Sequence, residues 1–188
     1  MLKHTLKNRI LILGASGFIG RSIYLELRSY FDVYGTYATN NVEFAENNVY
    51  FKYCLEEDIL DTIIQKIKPV LIISALRGDY KLQLAAHRQL CHYINENHSA
   101  RIIYLSSMNV FDGRFKFPSY ENDKPLAKSD YGKFKISGER MLLKNIPAQA
   151  VILRLPIVLG IHSPRILQLR QAIKHKAAFD VYPNLTIS

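Results

Sequence analysis

The chain has 188 residues, 48% of them hydrophobic and 22% charged, a balance that suits one sizeable buried core. Its net charge of +9 is scattered, with no basic block interleaved with aromatics, which argues against nucleic acid and leaves an anionic small molecule as the expected partner. No apolar run approaches the roughly 20 residues of a membrane span, and "MLKHTLKNR" runs into an apolar stretch too short for a signal-peptide core, so a cytoplasmic protein without a membrane segment is expected.

In chain order, apolar runs with β-branched residues alternate with segments of helical period. The runs predict strands over 9–13, 33–37, 49–53, 70–75, 101–105 and 150–155. Between the first two, Ile19, Ile23 and Leu27 recur every four residues, as one buried helix face requires. Ile59, Ile63 and Ile67, widened by Leu60 and Ile64, predict a second helix that Lys68 and Pro69 stop. Further helices are predicted over 81–95, over 130–145 with Ser129 as cap, and over 165–175. The stretch from 111 to 128 is rich in Asp, Gly, Pro, Asn and Ser and predicts a loop over the sheet edge. Strands alternating with helices predict an α/β fold: a Rossmann-like, doubly wound parallel sheet with helices on both faces. Residues 1–160 are assigned to that domain, and 161–188 to the leading part of an incomplete substrate-binding lobe. Cys54 and Cys91 lie far apart with no CxxC or Cys/His cluster, and both are read as reduced core thiols.

The first strand runs into "GASGFIG", with Gly14, Gly17 and Gly20 between a strand and a periodic helix. The first glycine permits a sharp turn, the second lets a pyrophosphate approach the backbone, and the third lets the helix pack closely. Helix-start amides then face the anion.

The fifth strand ends in "SSMNVFDG", which brings Ser106 and Ser107 to the carboxyl edge of the sheet, where ligands of open parallel sheets bind. In "SDYGKFKISGER", Tyr131 and Lys135 share one helical face. A phenol near pKa ~10 is a poor acid-base partner at neutral pH, and a neighbouring ammonium favours its ionised form. Taken singly, the serines suit a turn, the tyrosine an amphipathic surface and the lysine a solvated helix. Together, in this order after a glycine turn, they read as a catalytic set.

The GxxGxxG spacing, Ser107 and the YxxxK pair resemble the extended short-chain dehydrogenase/reductase family. The likeness continues through "SGE" at 137–139 and "ILRLPIVLG" at 152–160, and so covers the chain from about residue 9 onward. It implies a diphosphate over Ser16, Gly17, Phe18 and Ile19, with Gly14, Gly20 and Arg21 completing the cofactor site. Ser107 would polarise a carbonyl, Tyr131 would donate the proton, and Lys135 would tune Tyr131 while holding the nicotinamide ribose. The family commonly has an acid at the end of the second strand for the ribose hydroxyls of NAD; "GTYATNN" has none. With Arg21 following the last glycine, NADP is expected over NAD, and a solvated Arg21 is the alternative.

Within that family, "SSMNVFDG" is most similar to the "STDYVFDG" segment of dTDP-4-dehydrorhamnose reductases. Met108 and Asn109 stand where dehydratases carry Asp-Glu, which disfavours dehydration. The implied activity is NAD(P)-dependent reduction of a nucleotide-linked 4-keto sugar. The alternatives are an NAD-dependent sugar-nucleotide epimerase and a non-catalytic NAD(P)-binding regulatory subunit, and homodimers are common in the family. Members run longer, so only part of the substrate lobe is expected here. Tyr53 and Cys54 stand near the position of a family Asp beside adenine, and Arg77 and Tyr80 are read as capping a helix rather than contacting substrate phosphate.

Overall fold

In "RILIL", Ile10 and Ile12 face one side of a sheet and Leu11 and Leu13 the other, and none is more than 2% exposed. A strand covered on both faces needs such an unbroken apolar run. The computed structural model describes residues 8–39, 42–115 and 118–178. It contains six parallel strands: β1 (Arg9–Leu13), β2 (Asp32–Tyr37), β3 (Tyr50–Lys52), β4 (Leu71–Ser74), β5 (Arg101–Ser107) and β6 (Ala150–Leu155). Their order is β3-β2-β1-β4-β5-β6, so the winding direction reverses between β1 and β4. The doubly wound α/β fold expected from the alternation of periods is therefore the observed one.

The helices are α1 (Phe18–Leu27), α2 (Val42–Ala45), α3 (Leu60–Ile67), α4 (Tyr80–Glu96), α5 (Asp130–Asn145) and α6 (Pro164–Lys174). On one face of the sheet, Leu11, Leu13, Ile72 and Ile102 pack with Ile64 of α3, Leu90 of α4 and Leu142 of α5. On the other, Ile10, Ile12, Val33 and Ile73 pack with Tyr24 of α1, flanked by the expected stripe of Ile19, Ile23 and Leu27. The chain divides into two compact units, Met1–Pro156 and Ile157–Ser188. In the second, Ser163 caps α6 by accepting from the Ile166 amide at 3.4 Å. The stretch "VYPNLTIS", where the family resemblance expects a strand leading back, lies outside the described residues.

Several boundaries differ from periodicity, each for a local reason. The third strand loses Val49 and Tyr53, while β5 extends to Ser107 because β6 continues to pair with it through Ser106↔Arg154 and Ser107↔Leu155. Ile59 is not part of the α3 stripe: it is the extended N-cap residue and 68% exposed. Lys68 ends α3 in the left-handed region at φ 51°, since the proline after it disfavours continued helix. The four-residue α2 and a 3-10 turn at Met108–Phe111 were not anticipated, being too short to show a period. Cys91 is a buried core thiol, but Cys54 lies past the end of β3, partly exposed, with its Sγ 2.9 Å from Glu56 Oε2. Among the described residues, no group of three or more His, Cys, Asp or Glu could hold a metal ion. No helix there is long and apolar enough to cross a membrane.

One polar residue of the core escaped the sequence pattern. His87 of α4 is 1% exposed, with Nε2 2.8 Å from Ser74 Oγ at the end of β4 and Nδ1 2.6 Å from the Gln83 carbonyl. The carbonyl can only accept, so Nδ1 carries the proton and Ser74 donates to Nε2. Burial pushes His87 down to about 4, helped by the nearby Lys135 charge. Between that value and about 6.5 the unfolded chain binds a proton that the folded chain refuses, so stability falls as pH drops through this window. Lowering pH from 7 to 5 is expected to remove on the order of 2 kcal/mol through this residue. Urea midpoints of the native chain and of His87→Gln at both pH values check it: the variant should lose that part of the pH slope.

Candidate active site

The glycine turn hangs between the carboxyl ends of β2 and β4, at the point where the sheet reverses its winding. Gly14 has φ +78°, and a Cβ there would lie 2.6 Å from the Ala75 carbonyl oxygen just beyond β4. Its amide donates to Thr36 Oγ1 at 2.8 Å, and the Ser16 amide donates to the Thr36 carbonyl at 3.3 Å. Gly17 is the N-cap of α1 and brings no side chain across the helix start. A Cβ on Gly20 would sit 2.2 Å from the Gly14 carbonyl oxygen, so only glycine lets α1 begin this close to the turn. Phe18 and Ile19 open the helix, where first-turn amides lack intrahelical acceptors. The cradle is bare, backbone-lined and positively polarised, which fits the diphosphate of a dinucleotide.

Arg21, on the next turn, is exposed but paired. Its Nη2 lies 2.7 Å from Glu43 Oε1 of α2, and its guanidinium stands 5.5 Å from the centre of the Phe44 ring. Ala38 and Thr39 beyond β2 are exposed, whereas Asn40 and Asn41, also part of the expected ribose-binding stretch, lie outside the described residues.

Ser107 ends β5, and its hydroxyl is held by Asn109: it donates to Oδ1 at 2.9 Å and accepts from the amide at 3.2 Å. Ser107 is also near enough to the Tyr131 hydroxyl to ease its ionisation. Asn109 had been read only as a missing dehydratase acid, though a polar residue two positions after a strand-end serine is a common turn signal. Tyr131 lies in the first turn of α5, whose N-cap Ser129 accepts from the Gly132 amide at 3.0 Å. The residue is 39% exposed, with Tyr80 6.2 Å and Phe134 6.3 Å away between ring centres. Burial raises its pKa from 10.0, partly offset by the nearby Ser107 hydroxyl and the Arg77 charge. A neutral phenol at physiological pH is a proton donor, which is the form a carbonyl reduction requires.

Lys135 shares the face of Tyr131 but is 6% exposed and donates to the Leu105 carbonyl at 2.8 Å. Its Nζ is 5.7 Å from the centre of the Tyr131 ring and 4.7 Å from that of Tyr104. Burial lowers its pKa to about 8, with Glu139 pulling the other way, so it is mostly ammonium at pH 7. In this geometry Ser107 and Arg77 ease ionisation of Tyr131, and the Lys135 Nζ stands on the same helical face.

Two loop assignments change. Asp79, not Arg77, caps α4, accepting from the Lys81 and Leu82 amides at 2.8 and 3.0 Å. Arg77 instead places its charge near Tyr131, and Tyr80 stacks on Phe134 with ring centres 4.5 Å apart. Tyr53, near the position of the family's Asp, is a core residue, 5% exposed among the α3 side chains, where burial pushes it up to about 12. The glycine turn follows β1 and Ser107 ends β5, so both stand at the carboxyl ends of the strands, and the β4–α4 connection lies between them: Gly14 abuts Ala75, and the Arg77 charge acts on Tyr131.

Known proteins share this architecture. The chain is 32% identical over 168 residues to methionine adenosyltransferase 2 subunit beta of Danio rerio, covering 84% of this chain and 50% of that protein. It is 31% identical over 158 residues to dTDP-4-dehydrorhamnose reductase of Aggregatibacter actinomycetemcomitans, covering 78% of this chain and 50% of that one. The chain therefore spans about half the length of the curated relatives it matches. Among solved structures, a hypothetical dTDP-4-dehydrorhamnose reductase from Sulfolobus tokodaii superposes with TM-score 0.67 at 26% identity, over 79% of this chain and 55% of that one. Bordetella bronchiseptica WbmG in complex with NAD shares the fold at TM-score 0.75 and 16% identity, over 94% of this chain and 63% of its own. With the model of the RmlD substrate binding domain matching residues 8–178, the chain belongs to that family, within the extended short-chain dehydrogenase/reductase group its motifs resemble.

Proposed function

We propose that this chain forms the nucleotide-binding and catalytic part of an NAD(P)-dependent reductase acting on a nucleotide-linked 4-keto sugar. The observation that carries the proposal is the placing of Ser107, at the end of β5, and a glycine turn suited to a diphosphate, at the end of β1, on the same carboxyl edge of the sheet, with Tyr131 close enough to Ser107 to feel its hydroxyl. When bound there, a reduced nicotinamide supplies the hydride. The Ser107 hydroxyl, which gives its one proton to Asn109 Oδ1 in the free protein, turns that proton to the substrate carbonyl oxygen and draws charge toward it, while the Asn109 amide still donates to its oxygen. Tyr131 delivers the proton from its hydroxyl to that oxygen as it becomes an alcohol. Lys135 keeps hydrogen-bonding capacity beyond Leu105 for a ribose hydroxyl, and its positive charge stabilises the phenolate left after proton transfer. The dTDP-4-dehydrorhamnose reductase among the relatives supports this substrate class. Oxidation of NADPH by a dTDP-4-keto-6-deoxy sugar is the direct test; no turnover across a panel of nucleotide-linked keto sugars counts against the proposal.

A second reading is favoured by the relatives named as beta subunits of methionine adenosyltransferase. Here the chain binds the dinucleotide as a subunit of a larger assembly and performs no chemistry. Nucleotide affinity without turnover, unaltered by loss of the Tyr131 hydroxyl, is its signature.

NADP remains the favoured cofactor. Arg21 is the cation next to the ribose end of the cradle, and the Glu43 carboxylate competes with a 2'-phosphate for it. Both side chains are exposed, so the pair is weak and its effect modest. Glu43→Gln is expected to favour NADPH over NADH by about two- to five-fold, and Arg21→Ala to reverse that preference. Dissociation constants from nicotinamide fluorescence check both.

A further inference from the structure

A buried ionic group borders the catalytic set without belonging to it. Glu139 lies one helical turn beyond Lys135 on α5, the i+4 position, and is 2% exposed. Its carboxylate accepts three hydrogen bonds: from Ser106 Oγ at 2.5 Å, from Arg154 Nε at 3.1 Å and from Arg154 Nη2 at 2.8 Å. Ser106 immediately precedes Ser107 on β5, and Arg154 sits opposite Ser106 on β6. Arg154 continues outward, donating from Nη1 to the Glu121 carbonyl at 2.8 Å and lying 5.0 Å from the centre of the Phe111 ring. A single carboxylate therefore joins the active-site helix, the strand end that carries Ser107, the neighbouring strand and, through Arg154, the 112–128 connection.

We infer that Glu139 is a positioning residue of this site: it keeps the buried Lys135 in its ammonium form and, with Ser106 and Arg154, holds the end of β5 in place. The inference rests on the catalytic reading above, which gives Lys135 its task. Lys135 is enclosed by groups that do little to favour its charge. Phe134 on α5, Tyr104 and the Leu105 carbonyl on β5, and the neutral His87 of α4 surround it, and Tyr131 is held protonated. Arg154 on β6 pairs with Glu139 at 2.8 Å and so tempers, without removing, the pull of that carboxylate on Lys135. The one full negative charge acting on Lys135 among the groups that shift it is Glu139, working against the desolvation that lowers it. Without that charge, a lysine this deeply buried would lose its proton near neutral pH, and with it the ability to stabilise a phenolate. An isolated structural ion pair would not need to stand at this spacing from the lysine.

The test follows the titration of Lys135 in the free protein by carbon NMR of labelled lysine side chains, assigned with Lys135→Met, alongside the pH profile of turnover. Glu139→Gln keeps the shape and an acceptor for Ser106 but removes the charge. Lys135 is expected to titrate about one pH unit or more lower, and the high-pH limb of kcat/KM to move down with it. Ser106→Ala, which leaves the carboxylate, is expected to weaken folding without moving the titration. Arg154→Met leaves Glu139 uncompensated, and Lys135 should titrate higher. That opposite shift also decides the matter if Glu139→Gln does not fold. An unchanged Lys135 titration in whichever of the two charge variants folds overturns the inference. Absence of turnover in the native chain would defeat the reductase reading alone, because the NMR titration needs no substrate.

Discussion

Tyr131→Phe is expected to lower turnover of a nucleotide-linked keto sugar by about 10²- to 10⁴-fold while leaving nucleotide affinity almost unchanged. The substitution removes one oxygen and keeps the ring that lies near Tyr80 and Phe134, so the fold should be little affected. What disappears is the phenol hydroxyl beside Ser107, which stays neutral at pH 7 and can give up its proton to the substrate oxygen. Since burial raises Tyr131 above 10.0 and lowers Lys135 to about 8, the lysine should lose its proton first as pH rises. The native profile is therefore expected to fall off on its alkaline side near the Lys135 value, with Tyr131 contributing only further up. Steady-state kinetics across pH, with nucleotide titration of both proteins, measures each part. Equal rates for the two proteins would reject Tyr131 as the donor and favour the non-catalytic subunit.

The second large effect is expected at Gly20→Ala. Its added Cβ would stand 2.2 Å from the Gly14 carbonyl oxygen and 2.9 Å from the Ala15 Cα, both backbone atoms that cannot rotate away. Either α1 lifts off the turn or the turn opens. Overpacking of this kind costs about 1–3 kcal/mol, and each 1.4 kcal/mol taken from binding weakens it about tenfold. NADPH affinity is expected to fall at least tenfold, with a lower melting temperature. Gly14→Ala should behave alike, since φ +78° disfavours a side chain there and the Ala75 carbonyl oxygen stands 2.6 Å from the new atom. Binding as tight as in the native chain, at native stability, would place the diphosphate elsewhere.

How much of the site is legible in the linear chain depends on how local each feature is. Ser129, read as a cap, does cap α5, because a cap needs only the amide three residues ahead. Asp79 could have been found by the same rule, and choosing Arg77 overlooked an acidic residue directly before the helix. The side-chain partner of Arg21 could not be found that way. Glu43 is separated from it by 22 positions and sits on a helix of four residues, which leaves no periodic trace. The Glu139–Arg154 pair was half visible as "SGE" and a strand-end arginine, yet nothing in the spacing says that the two meet. Their contact arises from β6 pairing in register with β5 while α5 packs over both.

The spacing of Tyr131 and Lys135 was sufficient to put both on one helical face, but not to say where the lysine nitrogen goes. That depends on Leu105, 30 positions away, whose carbonyl lies beneath the helix. Tyr53 and His87 show the same limit for burial: one was expected near a ligand and the other not considered, and the packing of α3 and α4 on the sheet made both core residues.

By itself the chain determined the α/β class, the six strands, the glycine turn and the order of serine, tyrosine and lysine, because each depends on side-chain periodicity or on backbone freedom within a few residues. Only the tertiary structure decided which charges face one another and which are withdrawn from water: Glu43 on Arg21, Glu139 between Lys135 and Arg154, Arg77 near Tyr131. Electrostatic energy depends on distance through space and on the dielectric around each group, and neither is encoded in separation along the chain.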